Sequence, residues 1–500
     1  MEIKDLKRTG VIHDLFEADW LFYGKAFMAG RPFIKEVLYQ HPSETTANYD
    51  IRLKEAFNFP YCKNIVTIYN YFLTEKPAIR EIDKSISNRP DWKKFNKNCD
   101  FYGSDFDSFL NEAQKLAGAY GVVGVLVDYP SGNFAKDDDL ARPYLSLYTP
   151  NNILDWTYER DFASGQPRLT YLKLKEGENS YLIWTPEKWE KYRTSRVSTE
   201  AGYAVTDTLT GENRLGEVPF VFLQNVKDTK YPYLGVSDID DASYVNGAIV
   251  RTLSMGNEVM KMAGFPMLLY PYSNENQFLE ESNAEDELVV GENAVLQYDP
   301  DAKNGKPSWL ESPVEASMKS ILLYLSHLVS EMYMACNLSG LRKEEEKSQT
   351  KSATYLRFEF NQTNAVLAKK ADAMVEAERL IYYFFAKWCD IKTEDIEDKV
   401  SVHRVEEFSI DALEVELENK IKSTTNVISK TFRTKMQKRM AKRTYPDLTA
   451  TEIDTIGKEI EQNLEKAEKA AEELAKANAT PDPVALDPNL DSEKALKPAA

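Results

Sequence analysis

The chain has 500 residues, 43% of them hydrophobic and 12% aromatic, and a formal net charge of −18. That is enough apolar material for an extended core or several domains, while the charge excludes a surface built to grip a phosphate backbone along its length. Four scattered cysteines (Cys62, Cys99, Cys336, Cys389) argue against a disulfide framework or a zinc site; with no apolar signal core and no window of ~18 apolar residues, a soluble intracellular chain with no membrane partner is expected.

Residues 11–30 and 47–75 read as helices, the second interrupted at Pro60, and both are rich in aromatic residues such as Trp20, Phe27, Tyr61 and Phe72. Residues 104–118 read as a helix capped by Ser104. The nearly continuous apolar run 120–129 predicts a buried strand. Gly118, Gly121 and Gly124 are spaced by three, which is not the dinucleotide fingerprint, and point to close packing around that strand. Asp137, Asp138 and Asp139 follow; a solvated loop is the favoured reading over a hard-cation site. Short strands are expected at 144–148, 154–158, 169–174, 181–184 and 218–223.

The stretch 237–340 reads as a long helix, a compact β insertion and a second long helix. The first is expected to start at Ser237, whose hydroxyl suits a cap, with Asp238, Asp240 and Asp241 at the positive end of the dipole. Its small residues Ala242, Ser243, Gly247, Ala248, Ser254 and Gly256 predict close approach of a neighbouring helix, which would offset the ~1 kcal/mol cost of each internal Gly. Gly264 followed by Phe265-Pro266 is a stop signal. Strands are expected at 267–270, 287–290 and 294–298, with a turn at Asn304-Gly305. Ser312-Pro313-Val314-Glu315 is a capping box that opens the second helix. Met318, Ile321, Leu322, Leu325, Leu328, Val329, Met332 and Cys336 then recur at helical spacing up to Ser339-Gly340.

Residues 341–351 are polar and aperiodic, a loop. A third long helix follows over 352–389, with Ala353, Leu356, Phe360, Leu367, Ala371, Met374, Ile381, Phe385 and Trp388 on its buried face. The run 430–443 holds seven basic residues and no acidic one. It is either a solvated helix face balanced by the Ala/Glu/Lys-rich helix 451–478, the favoured reading, or a nucleic-acid or acidic-partner contact. Beyond Thr480 the Pro-rich, apolar-poor tail predicts disorder.

No motif carries chemistry. There is no phosphate loop: Asn304-Gly305-Lys306-Pro307-Ser308 lacks the upstream Gly and the Ser/Thr after Lys. His13, His41, His327 and His403 stand alone, and neither Gly-x-Ser-x-Gly nor His-Glu-x-x-His occurs. Carboxylates are abundant, but nothing singles out a catalytic pair. The expectation is a protein without catalysis, cofactor or metal.

Five segments in this order resemble the portal proteins of tailed bacteriophages. They are 119–130 (AYGVVGVLVDYP), 148–156 (YTPNNILDW), 216–223 (GEVPFVFL), 237–246 (SDIDDASYVN) and 350–358 (TKSATYLRF). No single string is diagnostic; their order and the helix–β–helix–loop–helix layout carry the likeness. The resemblance implies an α+β, mainly helical, elongated subunit of a cyclic ring with the portal architecture of wing, stem, clip and crown. The corresponding segments are 1–236 (wing), 237–263 (first stem helix), 264–311 (clip), 312–340 (second stem helix), 341–351 (channel loop), 352–410 (long wing helix and following strand), 411–479 (crown) and 480–500 (tail).

The resemblance also implies a ring, usually of twelve subunits, at one capsid vertex of the virion, assembled in the host cytoplasm. It would be the conduit for packaging and ejection of double-stranded DNA, which passes without tight binding. Partners would be the terminase large subunit, head-completion or adaptor proteins, and the major capsid or scaffolding protein. Arg342, Lys343, Lys347 and Lys351 are candidates for transient contact with DNA, or they only solubilise the loop beside Glu344, Glu345 and Glu346. Glu280, Glu281, Glu285 and Asp286 in the clip are candidates for docking. Arg433, Lys435, Lys438 and Arg439 form a basic patch in the crown. The small-residue side of the first stem helix is the expected subunit contact. The alternatives are a capsid-associated adaptor or scaffold without a channel and, against the motif evidence, a packaging ATPase or nuclease.

Overall fold

The computed structural model describes residues 2–132, 140–162, 165–196, 203–264, 267–271, 295–298, 308–310, 314–338, 353–392 and 399–404, with scattered positions between 434 and 466. The chain divides into two compact units, Met1–Phe408 and Ser409–Ala500. The first unit mixes helices and strands. In chain order it contains α1 (Ile3–Lys7), α2 (Val11–Met28), α3 (Arg31–Val37), α4 (Thr46–Glu55), α5 (Tyr61–Thr74), β1 (Ile79–Ile82), α6 (Lys84–Ser87), α7 (Pro90–Lys97), α8 (Phe106–Tyr120), β2 (Val122–Asp128) and β3 (Tyr144–Tyr148). A 3-10 turn at Pro150–Asn152 leads into β4 (Ile153–Arg160), β5 (Pro167–Lys175), β6 (Ser180–Trp184), β7 (Lys188–Arg196), β8 (Tyr203–Glu212) and β9 (Phe220–Gln224). Then come α9 (Asp240–Gly264), β10 (Met267–Pro271), β11 (Val295–Tyr298), β12 (Ser308–Leu310), α10 (Val314–Ala335), α11 (Ala353–Trp388) and β13 (Val400–His403).

The apolar run is β2, the centre of an antiparallel sheet ordered β3-β2-β9, with Val125 opposite both Leu147 and Val221. One face meets the helical core built by α2, α5, α8 and α11. The other packs on a five-stranded antiparallel meander, β4 to β8, through Leu126, Tyr148, Phe220, Leu172 and Trp184. In β6 the side chains alternate with the pleat: Leu182 and Trp184 join that inter-sheet cluster, while Tyr181 and Ile183 face the opposite side. That opposite side is covered by α1 through Leu6, which also touches Leu154 and Tyr192. Lys173, buried in β5, donates to the carbonyls of Asp5 (3.1 Å) and Arg8 at the end of α1, where a helix leaves carbonyls in need of donors.

Several boundaries differ from expectation. Asp105, not Ser104, caps α8, accepting from the Ser108 amide at 2.7 Å. α9 begins at Asp240, three residues after Ser237. Ser237 forms a tight turn ahead of the helix, accepting from the Ile239 amide at 3.1 Å. Strands β7 and β8 have no counterpart in the sequence reading, because KWEKYRTSR and YAVTDTLTGE lack an apolar face. The short β1 and the partner it finds in β13 (Ile79 opposite His403) depend on a pairing across most of the unit.

Between α9 and α10 lie three strands ordered β11-β10-β12, with β10 parallel to β11 and antiparallel to β12. The expected strand 287–290, the turn at Asn304-Gly305 and the loop 341–351 lie outside the described residues, as do the 137–139 triplet and the 480–500 tail.

Candidate functional site

The feature that organises the unit is the joint at which the α9–α10 pair meets the rest of it. α9 and α10 run antiparallel, with Gly256 beside Ile321 and a cleft of about 180 Å³ lined by Ile249, Leu253, Leu325, Val329 and the aromatic pair Phe59 and Tyr61. At their base the turn between α8 and β2 crosses the segment leading into α9. Gly121 (φ +90°) faces Gly235 there, and a side chain at Gly121 would strike the Gly235 carbonyl. The Ser237 hydroxyl donates to the Ala119 carbonyl (2.7 Å) and the Asp238 amide to the Gly118 carbonyl (2.8 Å).

This brings the Asp238 carboxylate inside the protein. Lys370, from the middle of α11, places Nζ 2.5 Å from both carboxylate oxygens and is fully buried. Asn225 donates to Oδ1 at 2.7 Å and is itself held by Gln114 at 3.1 Å. The Lys370 ammonium lies 3.9 Å from the centre of the Tyr69 ring on α5, an attractive cation–π position. The Tyr69 hydroxyl donates to the Cys336 carbonyl just past α10, and the Cys336 thiol reaches the Asp238 carbonyl at 3.5 Å. Thr363 of α11 donates to the Asn337 carbonyl. The last carbonyls of α10 are therefore satisfied by side chains from two other helices. Burial pulls Lys370 below the usual lysine range, opposed by Asp238. Burial also raises the Tyr69 hydroxyl above its usual value and pushes the Cys336 thiol up to about 12. These groups bind one another and tie α5, α9, α10 and α11 together at one point.

A second buried charge cluster sits further along α11. Glu378 pairs with Arg80 of β1 and with Arg404 (3.1 Å), while Arg80 also holds Asp107 at 2.6 Å. It fastens β1 and β13 to the helical core.

Beyond the joint, the helix pair is bare on its outer side. The small residues Ala242, Ser243, Gly247, Ser254 and Gly256 are buried within the subunit. A Cβ at Gly247 would lie 3.1 Å from Val37 of α3, and one at Gly256 would lie 3.6 Å from Ile321 of α10. This corrects the expectation that the small-residue side of α9 is the outward contact face: its own chain occupies it. What faces outward is larger, namely Tyr244, Met255 and Met260 on α9 and Leu322, Leu323 and Tyr324 on α10. Leu322, expected within the apolar stripe of its helix, is 58% exposed and Leu323 68%. Among the described residues α10 is covered by α9 and, at Leu325 and Val329, by Phe59 and Tyr61; its buried residues are Met332 and, just past the helix, Cys336 and Leu338 near the joint.

Of the candidate residues named from sequence, Arg342, Lys343, Lys347 and Lys351, Glu280, Glu281, Glu285 and Asp286, and Arg433, Lys435 and Arg439 all lie outside the described residues. Lys438 is described, in the second unit. It is half-buried, and its aliphatic stem crosses Gly457, where a Cβ would collide with it. His327 is exposed on α10, 3.8 Å from Glu331. Among the described residues, no group of three or more His, Cys, Asp or Glu is placed to hold a metal ion, and no helix is long and apolar enough to cross a membrane. The joint itself was not foreseen. Its signal was a lysine on the buried stripe of α11, between Leu367 and Met374.

No protein-family model matches the chain, and no curated protein matches it. Solved structures that resemble it weakly include two neck structures. One is a chain from the neck of an empty GTA particle computed with C6 symmetry: TM-score 0.44, 10% identity, covering 76% of this chain and 90% of that one. The other is from the neck of a native GTA particle computed with C12 symmetry: TM-score 0.40, 8% identity, covering 81% and 97%. Likeness at this level carries no functional argument.

Proposed function

We propose that this chain is a portal subunit: a non-catalytic building block of a cyclic ring at one vertex of a phage-type capsid, through which double-stranded DNA enters and leaves. On this reading α9 and α10 are the stem, β10 to β12 belong to the clip, α11 and the α/β part form the wing, and residues 411–479 form the crown. The loop 341–351, with Arg342, Lys343, Lys347 and Lys351, lines the channel. The clip carboxylates Glu280, Glu281, Glu285 and Asp286 offer a docking face to the terminase large subunit or a head-completion protein, and the outer body meets the capsid or scaffolding protein.

The observation that carries the proposal is the bare outer side of the α9–α10 pair. Two adjacent helices present Met255, Met260, Leu322, Leu323 and Tyr324 to solvent while anchored at one end by a buried joint. Large apolar side chains grouped on an exposed helix pair favour association, and a head-to-tail contact between two unlike faces closes into a ring when its rotation divides the circle. The acidic balance fits a conduit, because binding many phosphates through Lys or Arg would release counterions and hold DNA fast.

Purified protein viewed by negative-stain microscopy, with mass by light scattering, tests the proposal. Rings with a central hole are expected. A stable monomer, or a closed assembly with no hole, overturns it, the latter in favour of a capsid-associated adaptor or scaffold.

A further inference from the structure

We infer that the Asp238–Lys370 pair is the pivot that fixes the angle between the α9–α10 pair and the α/β body, and so fixes how many subunits close the ring; the inference rests on the ring reading above. Four helices converge on this pair. Asp238 immediately precedes α9, Lys370 comes from α11, Tyr69 from α5 lies against the ammonium, and Tyr69 together with Thr363 holds the end of α10. Toward the other end, beyond the cleft that Leu325 and Val329 share with Phe59 and Tyr61, α9 is the neighbour of α10 among the described residues, and the α10 side chains are half-buried or exposed from Val314 to Glu331.

The joint therefore acts at the base of a lever about 27 Å long, taken from Met332 back to Val314. Ring closure is sensitive to the angle at that base. A ring of twelve turns each subunit by about 30° and one of thirteen by about 28°. Over this lever the difference is a displacement of only about 1 Å at the tip.

A buried ion pair is suited to such a task. Its desolvation cost and its Coulomb gain nearly cancel, so its value lies in fixing one arrangement rather than in stability. The ammonium must sit between two carboxylate oxygens and over an aromatic face at once. Apolar groups in its place would tolerate sliding, as packed hydrocarbon has no directional preference. Asn225, Gln114 and the Ser237 and Asp238 backbone contacts hold the carboxylate side of the pivot still.

The test replaces the pair by a neutral one of similar volume, Asp238→Asn with Lys370→Met, and counts subunits per ring by native mass spectrometry and class averages. The expected result is folded protein whose rings spread over neighbouring subunit numbers, where the unsubstituted chain gives one. A control, Glu217→Gln with Lys387→Met, removes another ion pair on α11 (2.5 Å) that does not touch the joint, and is expected to keep the single number. Double-variant rings with the unsubstituted count overturn the inference, and so does an equal spread in the control. Should the double variant fail to fold, Lys370→Arg decides: it keeps a positive charge opposite Asp238 but cannot occupy the same place between the two carboxylate oxygens and the Tyr69 ring, and an unchanged count overturns the pivot. If the unsubstituted chain forms no ring, the ring reading falls and the pivot with it; unsubstituted rings with unchanged variants remove the pivot alone.

Discussion

Replacing Leu322 and Leu323 by Glu tests the outer face of the helix pair directly. The two side chains are 58% and 68% exposed in the single subunit. Fully burying a leucine contributes about 1.5–3 kcal/mol, so covering the part still exposed contributes about 1–2 kcal/mol for each. The pair then supplies roughly 2–4 kcal/mol to one subunit contact, and glutamate in a covered position adds a desolvation penalty. A loss of about 3 kcal/mol weakens a contact by roughly a hundredfold, and a ring repeats it at every interface. The isolated subunit should not notice, because surface substitutions away from special features cost under about 0.5 kcal/mol. Sedimentation velocity across a concentration series, with thermal melts of the monomer, reads both quantities. Rings at unsubstituted concentrations would show that this face is not a subunit contact, and a large fall in monomer melting temperature would show that it is covered within the subunit.

Three further outcomes follow from the geometry. Lys370→Met alone strands the Asp238 carboxylate in the interior and should cost about 3–5 kcal/mol by urea denaturation at fixed protein concentration, most of it regained when Asp238→Asn is added; a single variant as stable as the parent would refute the pairing. The Glu44 carboxyl is lowered from 4.5 to about 2 by its hydrogen bonds from Arg52, so its stabilisation is complete above pH 4.5 and fades as pH falls toward 2. Protection factors across α4, corrected for the intrinsic exchange rate at each pH, should therefore fall in that window in the parent, and much less in Glu44→Gln. Gly121→Ala puts a methyl group into the Gly235 carbonyl at φ +90°, and soluble yield should collapse, whereas Gly103→Ala, at φ +101° with nothing within 4 Å, should cost only about 1–2 kcal/mol.

The long helices were legible because their signals are local. The apolar spacing along α11 involves residues a few positions apart, and α11 buries the expected Leu367, Ala371, Met374, Ile381 and Phe385; Ser312 and Pro313 of the expected capping box lie outside the described residues. β2 declared itself by being apolar throughout, as a strand covered on both faces must be. β7 and β8 were hidden for the opposite reason: as the last two strands of the meander, with β8 at its edge, they keep many polar residues, and pairing such as Glu190 opposite Thr210 makes them strands. The joint was illegible for a topological reason. Asp238 looks like an ordinary helix-start acid until a lysine 132 positions away meets it. Ala242, Gly247 and Gly256 correctly announced close packing, but sequence does not say whether the neighbour is the same chain or another.

The seat of α1 has a consequence for synthesis on the ribosome. Leu6 emerges long before its partners Tyr181, Ile183 and Tyr192. At about 5–20 residues per second, the last of them follows roughly 10–40 s later. Until then this short amphipathic piece has no surface to settle on, so the meander's back wall closes late, by recruiting a segment that had been waiting in solution. A chaperone that shields exposed leucines has its longest opportunity at that point.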